Sequence, residues 1–237
     1  MYQKILFDLD GTLTDSSLGI INSVCFALEK MNLPIPDRKD LLPFIGPPLK
    51  ESFSKFFHLS EEDSQQAVTF YRQYFSEIGL FENQLYPDVI PVLSDLSASG
   101  KKLVLATSKP EIFAVQILEH FQIKEFFQVI AGATLDGQRS TKADVIQHAL
   151  EMAQVTDTSQ CLMVGDRKHD IEGAKAHQMD SVGVLYGFGS KKELAEAGAT
   201  YILNQLADLP SLIATKNDWT SQSFSLFFLK KQWINLY

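Results

Sequence analysis

Apolar residues fall into two rhythms along the chain. One is short and continuous: Ile5-Leu6-Phe7, Leu103-Val104-Leu105-Ala106, Val129-Ile130-Ala131, Cys161-Leu162-Met163-Val164, Val182-Gly183-Val184-Leu185 and Tyr201-Ile202-Leu203. Short runs bounded by turn residues read as strands buried on both faces. The other rhythm is helical. Ile20, Ile21, Val24, Leu28 and Met31 follow possible N-caps at Asp15-Ser16-Ser17, and Asn32-Leu33-Pro34-Ile35-Pro36 breaks the pattern. A second helical region covers Asp40 to Ile45, and Gly46-Pro47-Pro48 is a sharp turn. Leu49, Phe53, Phe56 and Phe57, then Val68, Tyr71, Tyr74 and Phe75, continue amphipathic stripes whose plain reading is core. From about residue 16 to 81 the pattern is all helical.

Asn83 to Pro87 reads as a linker, and the pattern then changes. Helical stretches at Val89 to Leu96, Glu111 to His120, from the Thr141 cap to about Ala153, and Ile171 to His177 alternate with the strands. That alternation argues for a parallel sheet wound on both faces. The expected fold is α/β: a Rossmann-like, doubly wound parallel sheet over residues 1–15 and 82–213, carrying a small inserted α-helical cap domain at 16–81. The connections near 14–17 and 81–87 are candidate hinges, and 214–237 forms an extension. Ligands should bind beyond the C-terminal ends of the strands.

The first strand runs straight into Asp8-Leu9-Asp10-Gly11-Thr12-Leu13-Thr14. Two carboxylates crowded at a strand end are costly unless a cation lies between them or they share a proton. Asp-x-Asp-Gly-Thr-Leu-Thr after an apolar strand resembles the first signature of the haloacid dehalogenase-like hydrolase superfamily. The resemblance implies that Asp8 is a nucleophile forming an aspartyl-phosphate. It implies that Asp10 is a general acid and base whose backbone carbonyl also faces Mg²⁺, and it makes the helical insertion similar to the cap of these phosphatases.

Three further stretches fall at expected strand ends. Thr107-Ser108-Lys109-Pro110 offers hydroxyls and turn amides, with Gly11, to a phosphoryl group. Lys142 follows the Thr141 cap, where a cation opposes the helix dipole and needs another reason to be there, such as neutralising the phosphoryl group and Asp8. Gly165-Asp166-Arg167-Lys168-His169-Asp170 resembles the superfamily's acidic motif. Asp166 would be a direct metal ligand and Asp170 would act beside it or through water, completing with Asp8 and Asp10 a hard-oxygen site for Mg²⁺. Each stretch alone has a plainer reading as a turn or a solvated charge; all four in order point to one site. Lys50, Arg72, Arg167 and His169 are weaker candidates for substrate contact, each also readable as a surface charge.

Ile45-Gly46-Pro47-Pro48-Leu49 and Tyr186-Gly187-Phe188-Gly189 look like the phosphoglycolate phosphatase group. Ala106-Thr107-Ser108-Lys109-Pro110, Leu135-Asp136-Gly137 and the acidic motif look most like its bacterial 5′-nucleotidase-type members. The implied activity is Mg²⁺-dependent hydrolysis of a small phosphorylated metabolite, a nucleoside 5′-monophosphate or phosphoglycolate. Haloacid dehalogenases and phosphonoacetaldehyde hydrolases lack an acid at the position of Asp10. A phosphosugar mutase of the same fold keeps every motif. A phospho-receiver switch also uses an Asp, a Ser/Thr and a Lys, but its acidic pair precedes the phosphorylated Asp and it needs about half this length.

A formal net charge of −8 argues against a nucleic-acid polymer or an anionic membrane as partner. No apolar run approaches the roughly 20 residues of a membrane span. With a strand opening the chain and only Cys25 and Cys161 as thiols, both read as buried and reduced, the expectation is a cytoplasmic monomer or homodimer. Beyond about Leu212, Phe224-Ser225-Leu226-Phe227-Phe228-Leu229 followed by Lys230-Lys231-Gln232-Trp233 reads as an interfacial helix, a packed tail, a dimer contact or a disordered extension.

Overall fold

The computed structural model describes residues 1–215 of the 237. The aromatic and lysine-bearing stretch at 224–233 lies outside the described residues.

In chain order the elements are β1 (Lys4–Phe7), β2 (Thr14–Asp15), α1 (Ser17–Lys30), α2 (Leu49–Phe57), α3 (Glu61–Tyr74), β3 (Gln84–Leu85), α4 (Val89–Ala98), β4 (Lys102–Pro110), α5 (Glu111–His120), β5 (Phe127–Ala133), α6 (Lys142–Met152), β6 (Cys161–Gly165), α7 (Lys168–Ala176), β7 (Asp180–Val184), α8 (Lys191–Ala197), β8 (Tyr201–Leu203) and α9 (Leu209–Thr215). The six-stranded sheet has the order β5-β4-β1-β6-β7-β8, with every pairing parallel. After β1 the chain builds outward through β4 and β5, then returns to the other side of β1 for β6. Beside β1 the strand order therefore reverses, which opens a crevice at the carboxyl ends of the strands.

The apolar runs have no polar alternation because both faces are covered. Ile5, Phe7, Leu103, Leu105, Leu162 and Val164 face one buried cluster with residues of α4, α5 and α9. Leu6, Val104, Ala106, Val129, Ala131 and Met163 face the other, against Val145, Ile146, Ala149 and Leu150 of α6. Successive residues of one strand thus serve opposite cores, as the two-residue period requires.

The segment between β2 and β3 is helical. Phe44 packs on Phe53 and Phe57 at 5.1 and 5.9 Å between ring centres, and Phe44, Phe53, Tyr71 and Phe75 belong to the same buried cluster as Ile5 and Phe7 of β1. Four details differ from the sequence reading. Arg38–Phe44, containing Pro43, is a 3₁₀ helix, and the supposed linker contributes β3, which pairs Leu85 with Thr14 and Gln84 with Asp15. Helix α9 continues to Thr215, and Cys25 is only half-buried, whereas Cys161 is buried; both are free thiols. No helix among the described residues is long and apolar enough to cross a membrane.

Candidate active site

The site is assembled where β1, β4 and β6 end. Strand β1 stops at Phe7, and the Asp8 N–H still donates to the Val164 carbonyl of β6 at 2.9 Å. The chain then coils around Leu9, whose carbonyl accepts the N–H groups of Thr12, Leu13 and Thr14 at 3.2, 2.9 and 3.0 Å. Buried Leu9 anchors this turn. Gly11 makes it possible with φ +85°, and a Cβ there would overlap the Asp166 carboxylate.

Asp166 and Asp170 come from the end of β6 and the first turn of α7. Both are fully buried. One carboxylate oxygen from each of Asp8, Asp166 and Asp170 lies within 4.8 Å of the other two. Lys142, the first residue of α6, enters this group from the side. Its Nζ lies 2.7 Å from Asp8 Oδ1 and 2.7 Å from Asp170 Oδ1, and it donates to the Ala106 carbonyl at 3.0 Å. Burial alone would lower the Lys142 pKa, but the Asp170 and Asp8 carboxylates raise it above the ordinary lysine value. The ammonium is therefore kept, and the helix end is satisfied separately by the Thr141–Asp144 capping box.

One ammonium serves two of three carboxylates. Asp166 receives the Phe188 N–H at 2.7 Å and the Thr12 hydroxyl at 3.4 Å, both neutral donors. Burial, reinforced by Asp170 and Asp8, pushes its acid well above the ordinary range. Asp170 is raised to about 6, first by burial, against the pull of Lys142. Three clustered oxygen ligands with too little positive charge suit a hard divalent cation such as Mg²⁺. The Asp10 carboxylate lies outside this group and pairs instead with Lys109 Nζ at 3.1 Å. Thr107 is buried at the end of β4, where its hydroxyl accepts the Lys109 N–H at 3.3 Å; Ser108 beside it is half-buried.

The weaker candidates go elsewhere. Lys50 is half-buried and paired with exposed Glu61 at 2.8 Å. Arg72 donates to the Leu135 carbonyl at 3.3 Å. His169 lies 3.8 Å from Glu172, its pKa lowered by burial and by Arg167 and Lys168. Arg167 is neither solvated nor free: it donates to Glu193 Oε1 at 2.9 Å and to the Ile45 carbonyl at 2.8 Å, tying the acidic loop to the helical segment.

The model of the family described as haloacid dehalogenase-like hydrolase matches residues 5–184. The chain belongs to that family. As a haloacid dehalogenase-like hydrolase it is an enzyme, and all eight site residues read from its sequence lie within the matched span. It is similar to the 5′-nucleotidase of Pseudomonas aeruginosa, with 41% identity over 212 residues, 90% of this chain and 96% of that protein. It is 40% identical over 211 residues to the tyrosine-protein kinase PtkA of Mycobacterium tuberculosis, covering 89% of this chain and 71% of that one. A crystal structure of a predicted phosphatase from Clostridium acetobutylicum has a TM-score of 0.87 and 45% identity, covering 91% of this chain and 99% of that one.

Four participants were missed by the sequence reading of this family member: Lys109, Thr12, Tyr186, whose hydroxyl donates to the Thr12 carbonyl at 2.8 Å, and the Phe188 N–H. For Phe188 a signal existed. It stands between two glycines, and a Cβ at Gly187 would overlap the Gly11 carbonyl, so that loop must approach the motif closely.

Proposed function

We propose that this phosphatase of the haloacid dehalogenase-like family hydrolyses small phosphomonoesters through a covalent phosphate on Asp8. The observation that carries the reading is the Asp8–Lys142–Asp170 cluster: a buried carboxylate at a strand end, held by a buried ammonium that can also face an anion. An Asp8 oxygen attacks phosphorus and the ester P–O bond breaks. The leaving oxygen takes a proton from Asp10. Water then attacks the same phosphorus, gives its proton to Asp10, and releases phosphate and Asp8. Lys142, with Thr107, Ser108 and the turn at Gly11, binds and orients the transferring group.

Asp8, Asp166, Asp170 and the Asp10 carbonyl would hold Mg²⁺, which when bound neutralises charge on the phosphoryl group. Residues 16–81 act as a cap over a core of 1–15 and 82–213. In that reading the β2–β3 pair is a double hinge, and the bonds from Arg167 to Ile45 and from Arg72 to Leu135 hold the cap down to exclude bulk water.

Likeness to a 5′-nucleotidase and the sequence motifs favour a nucleoside 5′-monophosphate, with phosphoglycolate as the second candidate. Likeness to a protein named a kinase keeps one other outcome open, in which a hydroxyl rather than water takes the phosphate from Asp8, as a mutase would require. Phosphate release from nucleoside monophosphates, phosphoglycolate and hexose phosphates, with and without Mg²⁺, tests the reading. Mg²⁺-dependent release from nucleotides supports it, and substrate consumption without phosphate release overturns hydrolysis in favour of transfer.

A further inference from the structure

Lys109 is a buried cation to which the chemistry above gives no task. Its side chain is 5% exposed and that of Asp10 13%, with Lys109 Nζ 3.1 Å from Asp10 Oδ2. The other carboxylate oxygen, Asp10 Oδ1, is buried and accepts no hydrogen bond among the described residues. One oxygen of Asp10 is held by Lys109, and the other is buried without a hydrogen-bond donor on it among the described residues.

Lys109 has a second contact, with an aromatic ring. Its ammonium lies 4.4 Å from the centre of the Phe75 ring. Phe75 opens the π-helical turn Phe75–Gly79 that follows α3, a local geometry that recurs at functional sites. The ring is stacked on Tyr71, at 5.4 Å and 16° between planes, and meets Phe113 of α5 edge-on at 5.4 Å. Cation–π attraction strengthens when the cation is desolvated, as it is here. The backbone N–H of Lys109 donates to the Thr107 hydroxyl, so the same residue is tied to the candidate phosphate-binding turn.

A carboxylate rotates easily about its last side-chain torsion, whose energy profile is broad. Without an external restraint Asp10 would present either oxygen, or neither, to a substrate. We propose that Lys109 is a positioning residue for the proton donor: it grips Asp10 by Oδ2, so that Oδ1 is the oxygen aimed at the leaving group. Phe75 holds the ammonium in place from the helical segment. The proton on Oδ1 passes to the ester oxygen as the P–O bond breaks, and Lys109 neither gives nor takes one. This inference rests on the reading of Asp10 as proton donor.

A positioning role has a signature that a purely structural or binding role lacks. Esters with a good leaving group need little help from a proton donor, whereas those with a poor one depend on it. The experiment uses the full chain with Mg²⁺ and measures kcat/KM on aryl phosphates of similar size, from p-nitrophenyl to chlorophenyl to phenyl. This ratio reports only steps up to departure of the leaving group, so hydrolysis of the phosphoenzyme does not enter. Lys109→Met should lower kcat/KM for phenyl phosphate by about tenfold more than for p-nitrophenyl phosphate, within the range general-acid catalysis supplies. Asp10→Asn should steepen the dependence more, and Lys109→Arg should restore most of the wild-type dependence.

If Lys109→Met does not fold by circular dichroism and thermal melting, Lys109→Gln replaces it. Phe75→Leu, which keeps the cation, should steepen the dependence in the same direction by less. An equal loss across the series, or none, while Asp10→Asn steepens it, overturns the role of Lys109 alone. Absence of release by the wild-type enzyme, or full activity of Asp8→Asn, overturns the phosphatase reading and this inference with it.

Discussion

The ammonium of Lys142 lies 2.7 Å from a carboxylate oxygen of Asp8, although one opens α6 and the other follows the end of β1. A buried lysine is tolerable only with its charge answered, and Asp170 at 2.7 Å answers it a second time. The contact places a fixed positive charge against the oxygen that would attack phosphorus. It also explains a cation at a helix N-terminus, where the dipole alone disfavours one.

Lys142→Met removes the positive member of a buried cluster and leaves Asp8 and Asp170 facing each other. Removing one partner of a buried pair costs about 3–5 kcal/mol. Urea denaturation of the metal-free protein should show a loss of that order, partly recovered on adding Mg²⁺. Turnover should fall by more than about a hundredfold, because charge stabilisation of the transferring group is lost.

The raised acids predict a pH dependence of stability without metal. Asp170 rises from 3.8 to about 6 on folding, and Asp166 is raised in the same direction, first by burial. Between those values the folded state binds more protons than the unfolded one, so this contribution is full below pH 3.8 and is lost as pH rises through about 6. Thermal melts at a series of pH values should therefore show the stabilisation by Mg²⁺ growing from acid to neutral pH. Asp166→Asn should flatten that growth.

Arg167 predicts a mechanical effect beside the chemical site. Arg167→Ala breaks the bonds to Glu193 and to the Ile45 carbonyl, keeps the backbone N–H bond to Asp170 Oδ2, and removes a cation that lowers the Asp166 pKa. Losing a hydrogen bond to a charged, half-buried group costs about 1.5–3 kcal/mol. Hydrogen exchange should speed up at residues 45–50, and KM should rise severalfold, while binding of Mg²⁺ changes by less than in Asp166→Asn.

The sheet was legible because its strands are short apolar runs with both faces covered, so Ile5, Leu6 and Phe7 needed no partner information to be read. That Asp8, Asp166 and Asp170 come together was legible because Asp8 and Asp166 directly follow two of those runs and Asp170 lies one turn further on; the Asp10 carboxylate turns to Lys109 instead. What escaped depends on the third dimension. Strands β2 and β3, each two residues long, are too short for a period to show. Helix α8 buries only Leu194 and so lacks an apolar stripe. Lys109 looks like any lysine in a Ser/Thr turn until Asp10 and Phe75 close on it from two different segments. Arg167 reads as a solvated charge until the Ile45 loop is placed over it.

The central claim is that Asp8 is the nucleophile. Its most direct test is phosphate release by Asp8→Asn beside the wild-type enzyme, with Mg²⁺ and a responsive phosphomonoester, after circular dichroism has established that the variant folds. The account predicts that the wild type releases phosphate and that the variant loses at least about a thousandfold of that rate, the order expected when a covalent step is removed. Release by Asp8→Asn at a rate near that of the wild type would contradict it.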